Sequence, residues 1–81
     1  MQPDVLAWRI EIQDMSGICA AASAPKARWI AVRNYWEAGY GRKGLWPRPV
    51  AVREPRFDNH PTLVRDPHRI YNEQYLRGRY E

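Results

Sequence analysis

The chain has 81 residues, a formal net charge of +4 and a hydrophobic content of 44%, which allows one small folded domain and excludes a multidomain enzyme. Its single cysteine, Cys19, excludes an intrachain disulfide and a cysteine-cluster metal site. No segment approaches the roughly 18 apolar residues of a membrane span, and the amino terminus lacks the basic region of a signal peptide, so we expect a soluble, cytoplasmic protein.

The first part of the chain predicts a β-hairpin. Apolar and polar residues alternate over Val5–Ile12, which is the period of a half-buried strand. Turn-forming residues follow in Gln13–Gly17, and the apolar run Ile18–Ala22 predicts a second, short strand. We expect Cys19, inside this run, to be a small buried side chain.

A helix is predicted from Ala24 to Ala38. Ser23 is a good N-cap, and Pro25 occupies the first turn, where its missing N–H group costs nothing. Gly39 follows the last helical position, where a residue of left-handed conformation commonly ends a helix.

The predicted helix has apolar side chains on two faces. At 100° per residue, the mostly small side chains suited to packing on a sheet are Ala27, Ile30, Ala31, Asn34, Tyr35 and Ala38. Trp29 and Trp36 share the opposite face, where they are flanked by Lys26, Val32 and Arg33. We expect these tryptophans to lie away from the sheet, covered either by the C-terminal segment or by a second copy of the chain.

The segment between Gly39 and Pro49 is predicted to be a loop that binds a partner. Its glycines match the pattern G-x-G-x-x-G, but they follow a helix and precede a strand, the reverse of a dinucleotide site. We therefore predict no nucleotide cofactor. The side chains that this loop presents, and that we predict to bind a partner, are Tyr40, Arg42, Lys43, Trp46 and Arg48.

The remaining chain predicts one more strand and a short helix. Val50–Arg53 has strand character, and the prolines at its ends, Pro49 and Pro55, favour an edge position or a short strand. After an irregular stretch, Asp66 and Pro67 are typical of a helix start, and the helix is expected to end at Gly78. Within it, Tyr71 and Tyr75 share a face.

These elements predict a single α+β domain. Its core, about residues 5–57, would be a three-stranded antiparallel sheet packed on one main helix in the order ββαβ. Residues 58–81 would form a C-terminal segment with a short helix, packing on this core or extending from it.

Catalytic and metal-binding patterns are missing from the sequence. His60 and His68, the two histidines, match neither H-x-x-x-H nor H-E-x-x-H spacing. Ser16 and Ser23 are explained as turn and cap residues, so no nucleophile is paired with a base. We predict a protein that is not an enzyme and has no metal or other cofactor.

Arginine and large aromatic residues are abundant together. Eleven of the thirteen basic residues are arginine, and the chain has four tryptophans and five tyrosines. Interfaces favour this combination, although an arginine-rich codon usage would also explain the excess. Nucleic acid is an alternative partner, since a basic surface could form from Lys26, Arg28, Arg33, Arg42, Lys43, Arg48, Arg53 and Arg56. No helix-turn-helix, zinc or RNP signature accompanies these residues.

Two short motifs resemble those of small phage and prophage proteins. The first, Ala7-Trp8-Arg9-Ile10, matches a strand-initial W-[RK]-[IV], and the second, Ala22-Ser23-Ala24-Pro25-Lys26-Ala27-Arg28, matches a helix start A-[ST]-x-x-K-A-[RK]. The resemblance covers residues 7 to 53 and implies a ββαβ core.

In size, basic charge and lack of catalytic residues the chain also resembles anti-CRISPR proteins. The resemblance implies an inhibitor or regulator, in the cytoplasm of a host cell, that binds a host protein or a nucleoprotein such as a CRISPR effector. Besides the loop residues, we predict that Lys26, Arg33, Trp29 and Trp36 take part in this binding. A small DNA- or RNA-binding regulator is the alternative.

Overall fold

The computed structural model describes residues 4–39 and 48–78. In chain order its elements are strands β1 (Ala7–Ile12) and β2 (Met15–Ala20), helix α1 (Ala24–Glu37), strand β3 (Val50–Arg53), a 3₁₀ turn (Pro55–Phe57), and helices α2 (Pro61–Arg65) and α3 (Glu73–Gly78). The strands form an antiparallel sheet in the order β2-β1-β3. This confirms the predicted α+β fold and the edge position of β3.

The hairpin between β1 and β2 is tighter than predicted. Ile12 pairs with Met15, so only Gln13 and Asp14 form the turn, with Gln13 at φ 53°. Gly17 lies within β2 opposite Ile10, and its assignment to the turn is wrong. A β-carbon there would overlap the Ile70 side chain and lie 3.0 Å from the Tyr71 carbonyl oxygen, so glycine permits a close approach of the chain.

Helix α1 begins at Ala24 as predicted and ends one residue earlier than predicted, at Glu37. The Ser23 hydroxyl accepts a hydrogen bond from the Lys26 amide at 3.4 Å, and Pro25 lies in the first turn. Gly39, just beyond the helix, has φ 82°, a conformation that costs glycine little. The helix is therefore fixed in place by local signals at both ends.

The buried face of α1 differs from the prediction at two positions. Ala27, Ile30 and Ala31 are buried as expected, but Val32, which we expected beside the exposed tryptophans, is only 2% exposed. The buried stripe is wider on this side because α1 packs against both β1 and β3. Ala38 is exposed because it is the C-cap, beyond the last helical turn.

Apolar side chains form clusters on both faces of the sheet. On one face, Ile10, Ile12 and Cys19 pack with the buried face of α1. Desolvation by burial raises the pKa of the Cys19 thiol to about 12, which makes it a poor nucleophile. The second cluster, on the other face, consists of Ala7, Ile18, Ala20, Phe57, Leu63 and Leu76.

The C-terminal segment covers this second face. It contains two short helices. Helix α2 precedes the helix predicted from Pro67 to Gly78, and α3 forms only the C-terminal half of that predicted helix. Tyr71 lies outside both helices and pairs with Ile18 at the free edge of β2, through N–H···O bonds of 2.8 Å in each direction. No helix in the described ranges has the length and apolar character that crossing a membrane requires.

Candidate binding surface on helix α1

Trp29 and Trp36 lie on the same side of α1, as the sequence predicted. Their ring centroids are 6.2 Å apart with an interplanar angle of 85°, an edge-to-face arrangement. Trp36 is half-buried and packs against the first apolar cluster, whereas Trp29 is 46% exposed. The inner ring therefore supports the outer ring, which faces the surface.

The C-terminal helices do not cover these tryptophans. Leu63 of α2 and Leu76 of α3 are buried on the opposite face of the sheet. The expectation that the C-terminal segment covers the tryptophan face is wrong for α2 and α3, because the second sheet face needed an apolar cover of its own.

A shallow depression opens beside Trp29. Its volume is about 250 Å³, and the residues that line it are Pro25, Arg28, Trp29, Val32 and Pro49. Arg28 is the only charged residue of these five, and the other four are apolar. This combination suits an apolar or aromatic side chain that carries, or adjoins, a negative charge. We call these five residues the Trp29 depression.

Three exposed basic side chains, those of Lys26, Arg28 and Arg48, make no ion pair with any residue in the described part of the chain. Arg28 lines the depression and Arg48 immediately precedes Pro49, which also lines it. The surface is therefore suited to an acidic partner.

The other predicted side chains of α1 are less well placed. Arg33 lies 3.8 Å from the Glu37 carboxylate, four residues later on the same helix. Lys26 borders a separate depression of about 240 Å³, together with Ile30, Pro67 and His68. The predicted loop residues Tyr40, Arg42, Lys43 and Trp46 lie outside the described residues.

A second group of arginines is neutralised by carboxylates. Arg9 donates to Glu54 at 2.9 Å and to Glu73, which joins β1 to α3. Arg56 donates to Glu54 at 2.9 Å, and Arg77 lies 3.2 Å from Glu73. The guanidinium of Arg56, assisted by that of Arg9, lowers the pKa of Glu54.

Arg53 is also held by a carboxylate. Its two terminal nitrogens donate to the two oxygens of Asp58 at 2.8 and 2.7 Å, a bidentate arrangement. Arg53 and Arg56 were both included in the predicted nucleic-acid surface, and within the fold both are ion-paired with carboxylates. These arginines hold elements together and are poor candidates for partner binding.

The sequence did not predict a surface between α2 and α3. The Tyr71 and Tyr75 rings stack there at 5.9 Å and 14°, with the Arg69 guanidinium 5.6 Å from the Tyr71 centroid. They border an open depression of about 620 Å³ that also includes Arg65 and Asp66. Burial is the main cause of the raised pKa of Tyr71. The only signal in the sequence was the four-residue spacing of the tyrosines.

The His60 side chain makes hydrogen bonds within the fold. His60 Nδ1 accepts a hydrogen bond from the Thr62 amide at 3.2 Å, and its Nε2 lies 3.1 Å from the Leu76 carbonyl oxygen. Because Nδ1 accepts, Nε2 carries the proton that is donated to Leu76. Within residues 4–39 and 48–78, no three His, Cys, Asp or Glu side chains are grouped as metal ligands would be.

No protein-family model matches the chain, and no curated protein or solved structure is significantly similar to it. The resemblance to phage proteins therefore stays a prediction made from short motifs.

Proposed function

We propose that this chain is a non-enzymatic inhibitor or regulator of the phage-encoded, anti-CRISPR-like kind, which binds a host protein or nucleoprotein through the Trp29 depression and its basic surroundings. The observation that carries the proposal is the separation of the arginines into two groups. Those between β1, β3 and α3 are ion-paired within the fold, whereas Arg28 and Arg48 are not paired in the described part of the chain.

Positive charges without acidic partners lower the stability of a small domain unless a binding partner neutralises them. The charges repel one another in the free protein, while an acidic partner attracts them and accelerates the encounter. Trp29 supplies what charge alone does not, an exposed and rigid apolar anchor beside a depression. The basic residues and Trp29 together favour a partner that has an acidic surface and a protruding side chain. The chain would inhibit this partner by covering that surface.

The binding energy of this surface can be tested by two substitutions. Arg28→Ala and Trp29→Ala are each expected to weaken binding to a purified CRISPR effector nucleoprotein at least ~10-fold, about 1.4 kcal/mol. The measurement is biolayer interferometry, beside an assay of target-DNA cleavage by the same effector. Arg28→Ala is the cleaner change, because Arg28 is exposed and makes no ion pair in the described part of the chain.

Arg65→Ala is the matched control. Arg65 is also exposed and without an ion pair among the described residues, but it borders the depression between α2 and α3. If the proposal is right, this change leaves binding and inhibition intact. A loss of binding in Arg65→Ala with none in Arg28→Ala would move the site to the tyrosine surface. Absence of binding by the wild-type protein to effectors of the main types counts against the function itself.

A DNA- or RNA-binding regulator is the second candidate, favoured by the same basic residues beside an exposed tryptophan. Such binding would be governed by counterion release and would fall steeply with salt concentration. We expect weak or no binding to free duplex or single strands at physiological ionic strength. A sequence-specific gel shift at submicromolar protein concentration would instead support the nucleic-acid-binding function.

A further inference from the structure

Strand β3 leaves one edge of the sheet open in the described part of the chain. The sheet order is β2-β1-β3, and the two edges differ. The edge of β2 is covered by the pairing of Ile18 with Tyr71, whereas among residues 4–39 and 48–78 the only strand that pairs with β3 is β1. Val50 and Val52 of β3 are 52% and 56% exposed. An exposed edge with β-branched side chains is a template for pairing with another strand.

The backbone of β3 determines which groups are available for pairing. The Glu54 amide donates a hydrogen bond of 3.0 Å to the carbonyl oxygen of Ala7, the first residue of β1. Because alternate residues of an antiparallel strand bond to the same neighbour, the amides of Val50 and Val52 also point toward β1. Those of Ala51 and Arg53 point toward the open edge, as does the Pro49 carbonyl.

We propose that β3 pairs antiparallel with β3 of a second copy of this chain, centred on Ala51, to form a symmetric dimer with one continuous sheet. In a symmetric dimer the two-fold axis is perpendicular to the sheet. Each residue of one β3 strand must then pair with a residue of the other whose side chain lies on the same face of the sheet. The register centred on Ala51 meets this requirement. It opposes the two Ala51 residues in a hydrogen-bonded pair, and it opposes Pro49 to Arg53, whose amide donates to the proline carbonyl.

The side chains of this register are complementary. Val50 of one copy lies opposite Val52 of the other, which makes a four-valine strip on the face away from α1 and covers the two most exposed side chains of β3. One step further out, Arg48 lies opposite Glu54 in this register, but the Glu54 carboxylate is already bound by Arg9 and Arg56. The valine strip and the backbone hydrogen bonds are therefore the contacts that favour this register.

The dimer also concerns the surface on α1. Pro49 lines the Trp29 depression and immediately precedes β3. The two-fold axis therefore brings the two depressions together on the α1 side of the extended sheet. The inference does not rest on the proposed function, since the sheet edge is a separate feature and can pair whatever the depression binds.

The dimer is tested first by Val52→Lys. We expect the wild-type chain to show a concentration-dependent monomer–dimer equilibrium in analytical ultracentrifugation, because the short strand gives a small interface. Val52→Lys places like charges at the strip and is expected to raise the dissociation constant at least ~10-fold. Val64→Lys, which changes an equally exposed valine on α2, is the control and should leave the equilibrium unchanged.

The register is tested by cross-linking of single-cysteine variants. Val50 and Val52 would form a non-hydrogen-bonded pair, in which the β-carbons are close enough for a disulfide. A mixture of Val50→Cys and Val52→Cys is expected to give a mixed disulfide dimer under mild oxidation, identified by mass, while neither variant alone does so efficiently. Cys19 is buried and does not interfere.

Three outcomes would overturn the inference. They are a wild-type chain that stays monomeric at every concentration reached, a dimer that Val52→Lys does not weaken, and equal cross-linking of each cysteine variant with itself. The proposed function is measured with Arg28→Ala and an effector complex, so the two proposals fail separately.

Discussion

Replacing Leu76 with alanine is expected to lower the free energy of unfolding by about 3 kcal/mol, within the range of 2–5 kcal/mol for buried leucines. Leu76 is 1% exposed and packs with Ala7, Ile18 and Leu63 in the second apolar cluster. The change removes buried methyl groups and leaves a cavity that surrounding strands cannot easily fill. For a domain of this size, that loss is a large share of the total stability.

The measurement is urea denaturation followed by tryptophan fluorescence. Val64→Ala on α2 is the matched control, because Val64 is 51% exposed and its truncation should change the free energy of unfolding by less than about 0.5 kcal/mol. A small effect of Leu76→Ala, similar to that of the control, would show that α3 is not part of the cooperative fold.

The importance of α3 was not visible in the sequence, whereas β1 and α1 were predicted closely. Strand β1 shows the alternation of a half-buried strand, and α1 is bounded by Ser23 and Gly39. These signals are local. Helices α2 and α3 have only five and six residues, too few for a periodic pattern or for independent stability. They form because Leu63 and Leu76 are buried against strands distant in the sequence.

The candidate surface on α1 was predictable in part, because the spacing of residues along a helix is also a local signal. The seven-residue spacing of Trp29 and Trp36 places their rings on one side of a helix, and the rings do meet. The sequence could not tell which arginines are neutralised. Arg9 and Glu73 are 64 residues apart and meet only in the folded chain. Even the near neighbours Arg53 and Asp58 pair only because the chain turns back after β3.

The role of Asp58 was not predicted from the sequence, which placed this residue in an irregular stretch. Its Oδ1 accepts a hydrogen bond from the Ala7 amide at 2.7 Å, at the start of β1. The same carboxylate binds Arg53 at the end of β3. Next to it, the Asn59 side chain accepts from the Val5 amide at 2.8 Å. Asp58 thus joins the ends of two strands through charge-assisted hydrogen bonds.

Asp58→Ala is therefore expected to lower the free energy of unfolding by about 2 kcal/mol, since hydrogen bonds to charged groups contribute ~1.5–3 kcal/mol and the Ala7 amide loses its acceptor. Asp58→Asn keeps an oxygen for that amide but removes the charge facing Arg53, and should cost less. The measurement is urea denaturation at neutral pH. Equal stability of Asp58→Ala and the wild type would contradict the role given to this carboxylate.

The same carboxylate predicts how stability depends on pH. The hydrogen bonds from Arg53, followed by that from the Ala7 amide, lower the pKa of Asp58 in the folded state. The unfolded chain then binds more protons in this range, so stability rises with pH there. Its contribution is complete above the ordinary aspartate pKa of about 3.9 and is lost as the pH falls through the lower, folded-state pKa. Glu54, whose pKa is also lowered, acts in the same direction.

Denaturation curves recorded from neutral to strongly acidic pH separate the two carboxylates. Asp58→Asn should flatten the acid limb, because its contribution is already absent at neutral pH, and the limb that remains should be due largely to Glu54. Glu37→Gln is the matched control: its carboxylate is on the surface of α1, 67% exposed, and its removal should leave the curve in place. An acid limb in Asp58→Asn as steep as in the wild type would mean that the bidentate pair with Arg53 does not stabilise the folded state. The junction of β1 and β3 would then depend on its backbone hydrogen bonds alone.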